Sequence, residues 1–412
     1  MNLENYRGVW RAGGSANAIV NHVIKERKAI LKSFYGVKND NALFQENKVA
    51  ESLRFVLHDV RQGIYVLIRG GRPRFVIAVA NLDFENTFSK VYQCQLSDWA
   101  CNKILCNQAA DAKFGWGCGM LKEIRAMLED VTQKFTTRDC EFILNRRDLP
   151  MLRQDGESCY FFAGASKPKF ACHLPVVSLY QGNKFFDFPM IEPTPPQHMK
   201  HVPWNRKKEI AFFRGSATGA GVKKETNARI ALAWLDDRRA RDKPRLLDAG
   251  IVSLTQRIKF TDQGLLKDAR ENVPKLVARV KMEDWSNYKY LIYVEGYSAA
   301  LRMASMLSSK SVIIILKEEY SEANKLWYFN KFITCEYPTS NVFTYVLAAK
   351  NFKTSAHAIV ARLDDLPELV IWLQSNDHVA RILAENAYAL YQSLISERLK
   401  FMHIQLNSFT AD

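Results

Sequence analysis

The chain has 412 residues, 48% hydrophobic and 12% aromatic, with a formal net charge of +15 from 58 Lys and Arg against 43 Asp and Glu. A chain of this length and apolar content builds its own buried core, which excludes a disordered tail, a collagen-like fibre and a disulfide-stapled miniprotein. No apolar run approaches the roughly 20 residues a bilayer demands, so no membrane insertion is expected, while the basic surplus favours an anionic ligand such as a nucleic acid, an acidic lipid or a phosphorylated small molecule.

The opening residues, Met1 to Arg7, offer no apolar core for a signal peptide. Over 46–61, Val49, Leu53, Val56, Leu57 and Val60 share one helical face. Ile64 to Ile68 and Phe75 to Val79 flank Gly70-Gly71-Arg72-Pro73, which predicts a hairpin. A helix follows over 119–133, then a short strand from Glu141 to Asn145 that runs directly into Arg146-Arg147-Asp148-Leu149-Pro150. Pro193, Pro195, Pro196 and Pro203 crowd the stretch 191–204, which can continue neither a helix nor a central strand and reads as an interdomain connection. Beyond it the rhythm is a strand over 209–213, a helix over 226–237, a strand over 290–294, a turn at Gly296-Tyr297-Ser298, a helix over 299–308 and a strand over 311–316. That alternation builds a parallel sheet with crossover helices. The end, 377–403, carries Val379, Ile382, Leu383, Tyr391, Leu394 and Ile395 at helical spacing. The expected architecture is α/β in two lobes, 1–203 and 204–376, with a C-terminal helical segment 377–412 packing back across them and an interlobe cleft as the ligand site.

Three segments carry the grammar of chemistry. In Phe212-Phe213-Arg214-Gly215-Ser216-Ala217-Thr218-Gly219, an arginine leaves a strand end as a planar two-pronged donor suited to phosphate, Gly215 permits close backbone approach, and Ser216 and Thr218 add hydroxyls. In Glu295 to Arg302, small residues at a helix start expose amides to an anion, with Arg302 one turn in. Asp148, at a strand tip beside Arg146 and Arg147, is a carboxylate able to take a proton from an attacking hydroxyl. Elsewhere the signals are poor. Eight cysteines contain no Cys-x-x-Cys, which predicts reduced thiols; His173, His198 and His201 lack metal-ligand spacing; and no Asp-x-Asp occurs to hold a divalent ion. Neither a Walker loop nor a Gly-x-Gly-x-x-Gly fingerprint is present. The basic clusters Arg206-Lys207-Lys208 and Arg238 to Arg245 support an alternative, a nucleic-acid-binding protein without catalytic activity, although no basic-aromatic motif accompanies them. A noncatalytic pair of sugar-binding lobes is a third reading, which the presence of Asp148 and both arginines disfavours.

Arg147-Asp148-Leu149-Pro150, Phe213-Arg214-Gly215-Ser216, Asp248-Ala249-Gly250, Tyr288 to Ile292 and Gly296 to Arg302 occur in the order seen in glycosyltransferase family 90, which the chain resembles over about 140–320. The resemblance implies a GT-B fold, two Rossmann-like lobes with the catalytic base in the first and the UDP-sugar held mainly by the second. By the same resemblance Asp148 is the base and Arg214, Ser216 and Arg302 are diphosphate contacts, with backbone from Ser298, Ala299 and Ala300. Gly215, Thr218, Asp248 and Gly296 complete the expected donor site. What it implies of activity is inverting transfer of xylose, ahead of glucose, from a UDP-sugar to a glycan or glycoprotein, with no metal, no other cofactor and no nucleic-acid partner. The chain departs from the family in three ways: Leu149 replaces a frequent aromatic, Phe332 to Tyr337 lacks the usual His-Tyr stretch, and the secretory signal and retention tail of animal members do not appear. The last departure leads to the expectation of a cytoplasmic or virus-encoded enzyme.

Overall fold

The structure, a computed structural model, describes residues 16–34, 44–60, 62–80, 116–145, 151–152, 174–181, 186–219, 221–241, 243–254, 259–261, 264–266, 272–296, 300–317, 325–326, 335–336 and 356–409. The chain divides into two compact units, 1–194 with 397–412, and 195–396.

The first unit opens with two amphipathic helices, α1 (Ala16–Lys32) and α2 (Glu46–Phe55), the second running on as a π-helical turn through Val56–Val60. Ile19, Val20 and Val23 of α1 and Val49 and Leu53 of α2 close on Tyr65, Leu67 and Ile77 of a sheet. Strands β1 (Gln62–Arg69) and β2 (Arg72–Ala80) form the expected hairpin. Its two turn glycines, Gly70 and Gly71, take φ values of 59° and 63°, a region costly to any residue with a Cβ. After α3 (Trp116–Lys134), β3 (Cys140–Leu144) pairs antiparallel with β1. Strand β4 (Val176–Ser178) joins β3 in parallel; the short β5 (Tyr180–Gln181) follows in sequence, and β6 (Phe188–Pro189) joins β4 in parallel. The sheet order is β2-β1-β3-β4-β6. A Rossmann-like lobe has parallel strands throughout, and this sheet differs in that β1 runs against both its neighbours: the two-residue turn can return β2 only antiparallel, and β3 lies on the other side of β1 in the direction of β2. Glu141, buried in β3, anchors α1 to the sheet: it accepts two bonds from Arg27 (2.7 and 2.8 Å), one from the Tyr65 hydroxyl (2.6 Å) and one from the Phe44 amide (2.7 Å). Four donors on one carboxylate offset the cost of burying its charge.

The second unit is built on six parallel strands in the order β14-β15-β12-β11-β7-β8. In chain order they are β7 (Lys208–Ser216), β8 (Leu247–Ser253), β11 (Tyr288–Tyr293), β12 (Val312–Leu316), β14 (Cys335–Glu336) and β15 (Ala358–Ala361). A separate hairpin, β9 (Lys259–Thr261) and β10 (Gly264–Leu266), and a short β13 (Lys325–Leu326) lie between them in sequence. The helices are α4 (Ala228–Arg238), α5 (Met303–Leu307), α6 (Leu366–Ser375) and α7 (Asp377–Asn407), the last of which passes from the second unit into the first at Glu397. On one sheet face Ala211, Phe213, Ile292 and Ile314 pack with Ile230 of α4, Leu369 of α6 and Leu383 of α7. The alternate residues Phe212, Leu291 and Ile313 are equally buried, as a parallel sheet requires.

Polar keystones hold the amino-terminal edge of this sheet. Lys207 donates to the carbonyls of Ser286 and Ser309 and to the Ser311 hydroxyl at 2.7–2.9 Å. Lys289 bridges Glu209 and Asp377 at 2.7 and 2.6 Å, and the Trp204 indole donates to the same Asp377. At the opposite edge the topology has a consequence for function. Strand β8 flanks β7 on one side and β11 flanks it on the other, so the chain reverses its direction of growth between β7 and β11. The carboxyl ends of those two strands form a topological switch point, where open α/β sheets take their ligands. Among the described residues no helix is long and apolar enough to cross a membrane.

Candidate functional site

The switch point is lined by Arg214 to Thr218 leaving β7, Val294 to Gly296 leaving β11, and Arg302 just before α5. One buried side chain, Arg229, holds the two strand-end loops together. Asn227 caps α4 by accepting from the amides of Arg229 and Ile230, which places Arg229 in the first turn. Its guanidinium donates to the carbonyls of Ser216 (3.2 Å), Val294 (3.0 Å) and Glu295 (2.6 Å) and to the Thr218 hydroxyl. Gly296 completes the closure, since a Cβ there would stand 2.8 Å from the Thr218 Oγ1. Sequence reading missed Arg229. The signal was an arginine in the first turn of a helix, where the dipole disfavours a cation unless carbonyls outside the helix receive it.

The two arginines singled out from sequence do come together, but in different electrostatic states. Arg214 pairs with Asp248 at 2.6 Å and also donates to the Asp248 and Phe213 carbonyls at 2.8 and 2.9 Å. Tyr288 donates its hydroxyl to the other oxygen of Asp248 at 3.0 Å, and burial together with that carboxylate pushes the phenol up to about 12. Asp248 therefore faces protein donors and neutralises Arg214. Arg302 donates to the Arg214 carbonyl at 2.6 Å and lies 5.6 and 5.5 Å from the ring centroids of Phe213 and Trp285. Burial draws its guanidinium below the ordinary arginine range, and among the described residues no carboxylate pairs it. A desolvated guanidinium without a counter-ion is costly, and a bound anion would remove that cost.

Several expected roles look different in the structure. The space a Cβ would take at Gly215 is filled by the Phe213 ring, 2.7 Å away, so this glycine makes room for an aromatic. Ser216 is bonded to the Ser253 hydroxyl at 2.7 Å, and Thr218 accepts from Arg229. The helix expected over 299–308 is confined to Met303–Leu307, too short for its dipole to hold an anion, because residues 300–302 form the turn before it. The Ala300 amide already donates to the Tyr293 hydroxyl at 2.8 Å. Ser298, Ala299 and the expected base Asp148 lie outside the described residues. Among the described residues no three His, Cys, Asp or Glu side chains cluster as metal ligands would.

Comparison with known proteins bears on this geometry. The model of the family described as glycosyl transferase family 90 matches residues 196–406, which contain the whole switch-point site. Protein 035R of Invertebrate iridescent virus 3, described only as uncharacterized, is 24% identical over 87% of this chain and 36% of its own length. Protein O-glucosyltransferase 1 of Homo sapiens is 24% identical over 48% of this chain and 44% of its own. The O-glucosyltransferase rumi homolog of Aedes aegypti is 25% identical over 45% and 36%. The chain thus spans less than half the length of these relatives. The crystal structure of TarM aligns with a TM-score of 0.34 and 12% identity over 57% of this chain and 43% of that one, too slight a likeness to argue from.

Proposed function

The chain belongs to glycosyl transferase family 90, and from that premise we propose that it is an inverting glycosyltransferase that moves a glucose or xylose residue from a UDP-sugar to a hydroxyl of a glycan or glycoprotein. The observation that carries the reading is Arg302, whose guanidinium is drawn below the ordinary arginine range by burial and has no carboxylate partner among the described residues, at the switch point of a parallel sheet. The names of the animal relatives favour glucose as the first donor to test, and kinship with viral proteins favours a virus-encoded enzyme.

The chemistry divides among the named residues. Breaking the bond between the anomeric carbon and the diphosphate oxygen leaves the sugar oxocarbenium-like and UDP more negative than in the bound donor. A fixed guanidinium at Arg302 gains interaction as that charge develops, so it stabilises the transition state more than the ground state. Arg229, held by carbonyls, keeps the two strand-end loops at a fixed spacing, and Arg214, held by Asp248, offers its own carbonyl to Arg302. Asp148 takes the proton of the incoming hydroxyl as its oxygen attacks the face opposite the leaving group.

A donor screen tests the reading: thermal shift and UDP release with UDP-glucose, UDP-xylose, UDP-galactose and a GDP-sugar. The expected result is stabilisation by UDP and release of UDP from one of the first two. In Asp148→Asn, UDP release falls by about a thousandfold or more while UDP stabilises as before. Unchanged turnover in that variant removes Asp148 from the mechanism, and indifference to every nucleotide removes the donor site.

A further inference from the structure

We propose that Asp187 is a positioning residue for the segment that carries Asp148, an inference that rests on the function read above. Five residues, 146–150, separate Asn145 from Met151, and one buried carboxylate holds both ends of that interval. Asp187 accepts from the Met151 amide at 2.8 Å and from the Leu152 amide at 2.7 Å, one bond on each oxygen. On the other side the Asn145 side-chain amide donates to Ser178 Oγ at 2.9 Å, and Ser178 donates in turn to Asp187.

Backbone bonds reinforce both anchors. The Asn145 amide donates to the Val177 carbonyl at 2.8 Å, and the Phe186 amide donates to the Leu152 carbonyl at 2.8 Å. Asn145, Ser178 and Asp187 are all buried, at 1%, 1% and 7% exposure, so water offers them no substitute partners. Burial outweighs the donated bonds in raising the pKa of Asp187 above the ordinary carboxylate value.

A carboxylate is the economical group for this task. Its two oxygens accept several donors at fixed angles, whereas an amide or hydroxyl would satisfy only some of them. Burying a charge is a poor way to gain stability alone. It is a good way to fix the spacing between the end of β3 and the chain at Met151. A general base gains rate only when its carboxylate meets the hydroxyl at hydrogen-bond reach, so looseness at either end of residues 146–150 weakens turnover without touching the donor contacts in the second unit.

The test is Asp187→Asn in the full chain, assayed by UDP release from UDP-glucose and UDP-xylose beside Asp148→Asn. The expected result is a kcat lowered by about tenfold or more with donor KM and UDP thermal shift unchanged, since misplacement by about 1 Å costs up to a hundredfold. A merely structural role would lower the melting temperature and the fraction binding UDP while leaving kcat per bound site intact, and that result overturns the proposal. Should Asp187→Asn fail to fold, Ser178→Ala decides, because it removes the Asn145 arm and leaves the bonds to Met151 and Leu152. A lowered kcat at constant KM supports the proposal and an unchanged kcat refutes it. Full activity of Asp148→Asn, or no UDP release by the wild type, fails the underlying reading instead.

Discussion

Replacing Arg302 by methionine separates the proposed anion-binding role of this side chain from its packing. Methionine keeps most of the apolar stem beside Phe213 and Trp285 and removes the charge and the bond to the Arg214 carbonyl. Losing that bond costs the free protein about 1 kcal/mol, and removing a desolvated charge offsets part of it, so the melting temperature without ligand changes little. The ligand-bound state is affected far more. One or two charge-assisted bonds to a phosphate contribute about 3 kcal/mol, equivalent to a roughly hundredfold rise in Kd. At a UDP concentration 100 times the wild-type Kd, binding stabilises the protein by about 2.7 kcal/mol; in the variant the same concentration gives about 0.4 kcal/mol. Differential scanning fluorimetry and calorimetric titration with UDP, UMP and uridine read the effect directly. The expected signature is loss of the UDP advantage over uridine while uridine itself binds as before. Equal weakening of all three ligands, or UDP binding at wild-type strength, refutes the assignment of Arg302 to the diphosphate.

Three other outcomes follow from the same structure. Arg229→Leu strands the Ser216, Val294 and Glu295 carbonyls and the Thr218 hydroxyl; at about 1–3 kcal/mol for a stranded buried acceptor, with some relief by water, it destabilises the second unit by a few kcal/mol and weakens UDP binding, both measurable in one denaturation series with and without UDP. Lys207 is drawn by burial, with Lys310 adding to it, from an ordinary 10.5 down to about 7. Between those values the unfolded chain binds more protons than the folded one, so stability rises with pH from about 7 towards 10.5 and is flat below 7 for this group. Lys207→Met lowers the melting temperature at every pH by stranding three acceptors and flattens that slope, and an unchanged slope rejects the titration. Finally, UDP release is expected to persist in excess EDTA, and activity restored only by added Mn²⁺ or Mg²⁺ would bring a metal into the mechanism.

The elements were legible from sequence wherever apolar periodicity was strong. The hairpin at Gly70-Gly71, the helix after Glu46, the strands β7, β11 and β12 and the long helix α7 all stand where the pattern put them, within the few residues by which element ends fray. The helix after Gly296 was overread because Ala299, Ala300 and Leu301 have high helix propensity. Tertiary bonding to Tyr293 takes the Ala300 amide and starts the regular turns only at Met303. The strand order that creates the switch point is a property of long-range pairing, and no local signal encodes it.

The arginines of the second unit show where reading from sequence stops and why. Arg214, Arg229 and Arg302 are the same chemical group within one small region, yet one is neutralised by Asp248, one is satisfied by carbonyls of two loops, and one donates to the Arg214 carbonyl and pairs with no carboxylate among the described residues. A motif names the residue type that can hold a phosphate; only the fold determines which copy still has its charge unmatched. Arg214 and Arg302 looked equivalent as strand-end and helix-start cations, but an anion gains most from the guanidinium whose field is not already cancelled. On the proposed reading Asp248 is as much a determinant of the site as the arginines: by pairing with Arg214 it leaves Arg302 as the guanidinium on which a bound anion would gain most. Asp248→Asn should then release Arg214, tighten UDP binding and lower stability together, opposite to what a carboxylate contacting the donor directly would produce. Weaker UDP binding in that variant would place Asp248 on the ligand and not on the arginine.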